Sequence, residues 1–229
     1  MARCAVAVAA ALLFVAVAGA AAGQRNGPPP AAGKKAAKGD PALVERGAYL
    51  AQVGGCADCH TPVRLDRELG VLVPDESRAW SGHPAGAPKP KGKPAAGDAG
   101  VIGGTFTAFT LPFGTVYAAN LTPHETGLGG WTEEQFVQAL RTGMHRGMAK
   151  GRPILPPMPW MNVARATDED LRALYAFFMS VPPVENAVPP PEVTPDTWET
   201  YEAAWRKLAP NPKQNGQRKK APTPRGSGR

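Results

Sequence analysis

Apolar residues recur at the 3.6-residue spacing of amphipathic helices in three places along this chain. The first follows Asp40-Pro41, a capping side chain and then a proline suited to the first helical position. Leu43, Gly47 and Leu50, with Val44 and Tyr49 beside them, mark its face, and Gly54-Gly55 marks its end. Gly47 in mid-helix costs about 1 kcal/mol relative to Ala, which predicts a close helix–helix crossing there. The second helix is predicted from Thr132 to about His145; Thr132-Glu133-Glu134-Gln135 forms a capping box, and Phe136, Val137 and Leu140 turn inward. The third runs from Thr167 to Ser180, turns Leu171, Leu174, Tyr175 and Phe178 to one side, and is stopped by Val181-Pro182-Pro183. Between the first two helices, Thr105–Thr110 and Thr115–Ala119 are short β-prone runs around Leu111-Pro112-Phe113-Gly114, the pattern of a hairpin. A further short helix fits 197–208. No repeat is present.

The flanks read differently. Arg3 and the Ala/Val-rich run Ala5–Ala18, followed by Ala18-Gly19-Ala20, match a secretory leader over 1–22, with an uncleaved anchor as the alternative. Cys4 would leave with it. Residues 23–39 are a Gly/Pro/Ala/Lys linker, 84–100 a flexible insertion of similar composition, and 187–229 a Pro-rich basic tail. The 26 Gly and 26 Pro of the 229 residues are concentrated in such stretches, so one compact domain filling the chain is excluded. Eight of the 26 Lys and Arg lie between Arg206 and Arg229, where there is no Asp or Glu. Without them and Arg3, the domain is slightly acidic. A nucleic-acid reader needs cations along a folded face, so that function is set aside. Lys89, Lys91 and Lys93 and the tail are read as solvated, or as steering an acidic partner or anionic lipid.

The chemistry lies in Cys56-Ala57-Asp58-Cys59-His60, the C-x-x-C-H signature of covalent c-type haem. Two thiols three positions apart stand about one helical turn apart, so each reaches one vinyl group of the same porphyrin. The histidine after the second thiol ligates the iron. Covalent attachment occurs outside the cytoplasm, which agrees with the leader. A zinc site would need two further ligands, a redox dithiol would need a preceding strand, and a Cys56–Cys59 disulfide would close only a tiny loop.

For the iron's other face the chain offers Met144, Met148, Met158, Met161 and Met179, and His83, His124 and His145. Met158 lies in Pro156-Pro157-Met158-Pro159-Trp160, a strap stiffened by fixed φ angles on both sides, which suits a thioether ligand. Met161 is the runner-up, and a bis-His site through His145 or His124 comes last. Met179 reads as packing. Trp131 and Trp160 are read either as indole donors to a haem propionate or as buried rings, and Asn120 as a local cap.

Asp40 to Asn186 resembles the monohaem class I cytochrome c domains of bacterial membrane and periplasmic oxidoreductases. The resemblance rests on Gly47-Ala48-Tyr49-Leu50, Gly55 to Pro62 around the haem motif, Ala119-Asn120-Leu121-Thr122-Pro123, Gly129-Gly130-Trp131-Thr132, Leu140-Arg141-Thr142-Gly143, Pro157-Met158-Pro159-Trp160 and Asp168-Glu169-Asp170-Leu171. It implies a mainly α fold around one covalent haem, carrying a small β-hairpin insertion and disordered N- and C-terminal extensions. It further implies Cys56 and Cys59 as thioether sites, His60 as proximal ligand, Met158 as distal ligand, and Gly47 meeting the face of Tyr175. The expected function is one-electron transfer between periplasmic or membrane redox partners (a dehydrogenase, an oxidase or another cytochrome), without substrate catalysis of its own. An electron-relay subunit of a dehydrogenase complex is the nearest alternative. A gas sensor or peroxidase would require an open sixth position, and the di-haem peroxidase kind a second C-x-x-C-H. Membrane contact is expected only through the tail or an uncleaved leader.

Overall fold

The structure is a computed structural model and describes residues 39–210; the leader, the linker up to residue 38 and the basic tail past 210 lie outside the described residues. Helix α1 (Pro41–Val53) starts where Asp40 Oδ1 accepts the Ala42 amide at 3.0 Å. It crosses α5 (Asp168–Phe178) at Gly47, where a Cβ would lie 2.0 Å from the Ala173 carbonyl oxygen and 2.7 Å from Phe177 Cβ. The close crossing agrees with the sequence reading, but its partners are Ala173 and Phe177 and not Tyr175. Tyr175 turns the other way, donating its hydroxyl to the Trp131 carbonyl at 2.8 Å and packing its ring on Phe136. Arg46 ties the crossing to Asp170 at 3.0 Å.

Helix α3 (Glu133–Thr142) carries the expected capping box, with Gln135 N donating to Thr132 Oγ1 at 3.1 Å and Thr132 N to Gln135 Oε1 at 3.0 Å. It stops short of His145 because Gly143 turns left-handed at φ 70°, with the Trp160 ring 2.4 Å from where a Cβ would stand. Thr167 caps α5 through the Asp170 amide. Ala51 from α1, Phe136, Val137 and Leu140 from α3, and Leu171, Leu174, Tyr175 and Phe178 from α5 form the main core with Leu128. On α3 and α5 these are the apolar stripes read from the sequence; on α1 the buried positions are Gly47 and Ala51 with Leu50 partly buried, while Tyr49, read beside that face, is 58% exposed.

The predicted hairpin is present as β4 (Ala108–Leu111) and β5 (Gly114–Tyr117). Two further strands extend it, β3 (Val101–Ile102) and β6 (Glu192–Val193), giving an antiparallel sheet in the order β3-β4-β5-β6. Gly114 permits the last pairing, since a Cβ there would lie 2.2 Å from the Glu192 carbonyl oxygen. A second ribbon, β1 (Val63–Asp66) and β2 (Val71–Pro74), follows the haem motif directly and is an addition to the single hairpin expected. Its turn is built on Asp66 Oδ1, which accepts the Glu68 and Leu69 amides at 3.0 Å each. The register puts Val63, Leu65, Leu72 and Pro74 on one face, with Leu65 59% and Leu72 48% exposed.

Residues 84–100 contain no helix or strand, yet they are tethered. Ala85 N donates to Asn186 Oδ1 at 2.9 Å, Pro90 is buried, and Lys89 pairs with Glu192. Within the expected disordered C-terminal extension, the short helix read at 197–208 is present as α6 (Pro195–Leu208) and folds onto the domain. Tyr201 and Trp205 recur on one face of α6 and join Met144, Trp160 and Ala164 in a second apolar cluster. Aromatic burial there outweighs the Pro-rich composition around it.

Candidate haem-attachment site

Helix α2 (Cys56–His60) holds the whole motif in about one and a half turns. It is launched by Gly55 in the left-handed conformation, φ 64°, which sets the short helix at an angle to α1. Cys56 and Cys59 are free thiols, half-buried, so the disulfide alternative is not what the structure holds. Burial pushes both thiols up from their ordinary range, and the Asp58 carboxylate pushes in the same direction. Zinc loses its support as well: among the described residues, no three His, Cys, Asp or Glu side chains gather into a cage.

His60 is the best-defined group. Its Nδ1 lies 2.8 Å from the Ala119 carbonyl, which can only accept, so Nδ1 carries the proton and Nε2 keeps its lone pair. Burial lowers the imidazole below its ordinary pKa and keeps it neutral, the form that ligates iron. The second bond fixes ring orientation and raises ligand basicity. The Ala119 carbonyl is itself held in place. His83 N donates to Ala118 O and Leu121 N to Trp80 O, while Gly82 N donates to the His60 carbonyl. At Gly82, φ 72°, a Cβ would meet the Ala118 and Ala119 backbone at 2.4–2.5 Å, so only glycine lets the two segments touch. Thr61, fully turned in, anchors the Trp80 amide at 3.0 Å. Sequence reasoning missed Thr61, Gly82 and the role of Ala119; Ala119-Asn120 carried a signal only as part of a resemblance.

The other candidate ligands are dispersed. Met158 is half-buried and packs against both apolar clusters, as Cys56 does against the first. Met161, on α4 (Trp160–Val163), is 36% exposed and Met148 49%, whereas Met144 is buried in the second cluster. Met179 caps α5 against the main core, matching its reading as packing. His83 is fully buried with both ring nitrogens engaged, by Thr107 Oγ1 and Ala87 O. His124 Nδ1 accepts the Thr126 amide in a local turn. His145 sits edge-on to Trp131, and burial, Arg152 and Arg146 depress it to about 4. Asn120 does cap locally, through the Thr122 amide, and also reaches across to the Val184 carbonyl.

The residues fit a c-type haem. Two thiols and an imidazole with one nitrogen left for metal stand on one short helix. Among the described residues, three buried donors have no partner: Arg78 Nε, Ser81 Oγ and Trp160 Nε1. Buried donors are almost always satisfied, and the carboxylates of a haem are acceptors of the kind they lack. Trp131 has no such orphan role; Arg146 covers its ring at 5.3 Å.

No protein-family model matches the chain. Over 158 residues it is 34% identical to the cytochrome c subunit of an alcohol dehydrogenase (quinone) from Gluconobacter oxydans, covering 67% of this chain and 25% of that protein. It is 33% identical over 148 residues to the gluconate 2-dehydrogenase cytochrome c subunit of Pantoea cypripedii, covering 64% and 25%. A diheme cytochrome c-type of Cereibacter sphaeroides is 26% identical over 187 residues, covering 78% and 52%. With its attachment motif, the chain is a c-type cytochrome. Within that class it is similar to subunits of dehydrogenases, of which it spans about a quarter of the length.

Proposed function

We propose that this chain is a one-electron carrier with a single haem c, exported to the periplasm and relaying electrons for a dehydrogenase partner without substrate catalysis of its own. The observation that carries it is the Ala119 carbonyl bound to His60 Nδ1, which leaves a neutral imidazole nitrogen beside two free thiols. Cys56 and Cys59 would hold the haem, His60 would ligate its iron on one side and Met158 on the other. Bound there, haem c supplies one-electron iron redox chemistry, at a potential raised by a thioether ligand and apolar surroundings.

The chain's own residues orient and enclose. The sequence contains one C-x-x-C-H, which supports one haem. Met158 is favoured over Met161 because it is drawn into the apolar interior while Met161 faces solvent. Trp80, edge-on to Phe177 at 5.3 Å and Phe178 at 5.4 Å, packs its ring against the same main core as Cys56. The apolar leader supports export. Similarity to cytochrome c subunits of dehydrogenases supports the relay role.

The test compares spectra of the loaded wild type and Met158→Ala. The wild type should show the ferric sulfur-to-iron band and, when ferrous, an unchanged spectrum under carbon monoxide. Met158→Ala should lose the band and bind the gas. A band that survives in Met158→Ala moves the ligand to Met161, and a wild type that binds carbon monoxide overturns the carrier reading.

A further inference from the structure

The strap from Ile154 to Trp160 cannot pin itself. Pro156, Pro157 and Pro159 have no amide hydrogen, and its own amide bonds are Ile154 N to Gly143 O at 2.7 Å and Trp160 N to Met158 O at 2.9 Å. The missing hold comes from α6. Trp205 Nε1 donates to the Ile154 carbonyl at 2.7 Å, and its ring stands edge-on to Trp160 at 5.3 Å. One residue on, Arg206 donates to the Ala149 carbonyl at 2.6 Å and is steadied by Glu202. Tyr201 stacks against Trp205 at 5.1 Å and against Phe113 of the β4–β5 turn at the same distance, which anchors the helix to the sheet. Trp205 is 6% exposed and Trp160 not at all. Met158 packs among these same side chains.

We propose that Trp205 is a positioning residue for Met158: its hydrogen bond to Ile154 and its contact with Trp160 hold the strap closed, so that the methionine stays on the iron. The inference rests on Met158 being the distal ligand. Met158 release and rebinding is an equilibrium within the folded protein, and an added ligand reports its open fraction directly. Trp205→Phe keeps an aromatic ring and removes only the N–H; Trp205→Ala removes both contacts.

The experiment uses the full haem-loaded chain in the ferric state, titrated with imidazole, beside Met158→Ala and the sheet variant Val116→Ala. Val116 is a buried β5 residue in neither cluster, so its truncation lowers global stability without touching the strap. Trp205→Phe should raise the apparent imidazole affinity about five-fold, the factor one ordinary hydrogen bond is worth, and Trp205→Ala further still. Val116→Ala should titrate like wild type. The proposal is overturned if Trp205→Phe titrates like wild type, or if Val116→Ala shifts as far as it does. Should Trp205→Ala fail to accumulate with haem, Trp205→Phe decides alone. If Met158→Ala keeps the sulfur-to-iron band, the ligand assignment itself has failed, a result the Trp205 variants cannot mimic.

Discussion

Adding one methyl group at Gly47 tests the crossing on which the helical core is built. The new Cβ would stand 2.0 Å from the Ala173 carbonyl oxygen, 2.6 Å from its carbon and 2.7 Å from Phe177 Cβ. Two of these are backbone atoms in mid-helix, so no rotamer change relieves them and the helices must part by more than an ångström. Overpacking of this kind costs up to about 3 kcal/mol. Against it, Ala gains about 1 kcal/mol of helix propensity over Gly. The difference leaves Gly47→Ala destabilised by about 2 kcal/mol. For a domain of this size that is a fall of roughly 4–8 °C in the melting midpoint. Urea titration and a thermal melt of the haem-loaded protein read both quantities. A variant about 1 kcal/mol more stable than wild type would refute the crossing, because the propensity term would then stand unopposed.

Other substitutions probe separate parts of the fold. Asn186 is 3% exposed and donates to the Ser81 and His83 carbonyls at 2.7 and 2.9 Å while accepting from Ala85 N and Arg78. Asn186→Ala strands several buried groups and should cost about 3 kcal/mol in urea titration; a loss below 1 kcal/mol contradicts that network. Thr132→Ala removes half of a capping box and should cost about 1 kcal/mol, whereas Thr132→Ser should recover most of it. His145 is held neutral down to about pH 4 against an ordinary 6.5. Between those values the unfolded chain binds the proton more readily, so stability present above pH 6.5 is lost as the pH falls toward 4. Because solvent screens this half-buried ring, His145→Gln should flatten that slope by about 1 kcal/mol in melts at pH 4.5 and 7; identical slopes would show that His145 is solvated.

What was legible in the sequence was local. Thr132 with Gln135 and Thr167 with Asp170 announce helix starts through bonds spanning three residues, and both caps are formed. The C-x-x-C-H motif is equally local. What escaped depends on the path of the chain. Ala119 serves His60 with a backbone carbonyl, which any residue type possesses, so nothing at position 119 advertises the role. Gly82 looked like one more loop glycine; only the neighbouring backbone makes it obligatory. The β1–β2 ribbon did carry a signal, alternation at Val63 and Leu65 with a turn at Asp66 to Gly70, but four residues per strand gave it little weight. Helix α6 was legible as a short helix over 197–208, but its docking was not, because the residues that receive Trp205, namely Met144, Trp160 and Ala164, lie roughly 40 to 60 positions away in the chain.

The contacts that complete this domain join distant parts of the chain: Arg46 to Asp170 across 124 positions, Arg78 to Asn186 across 108, and Ser81 to Asn186 across 105. Chains closed by such remote pairings fold slowly, since loop entropy is lost before contact energy returns. During synthesis the segment bearing the two thiols emerges well before α5, whose residues complete the core that Cys56 packs against. For that interval it is an open, unprotected stretch of polypeptide, accessible to chaperones, proteases and modifying enzymes.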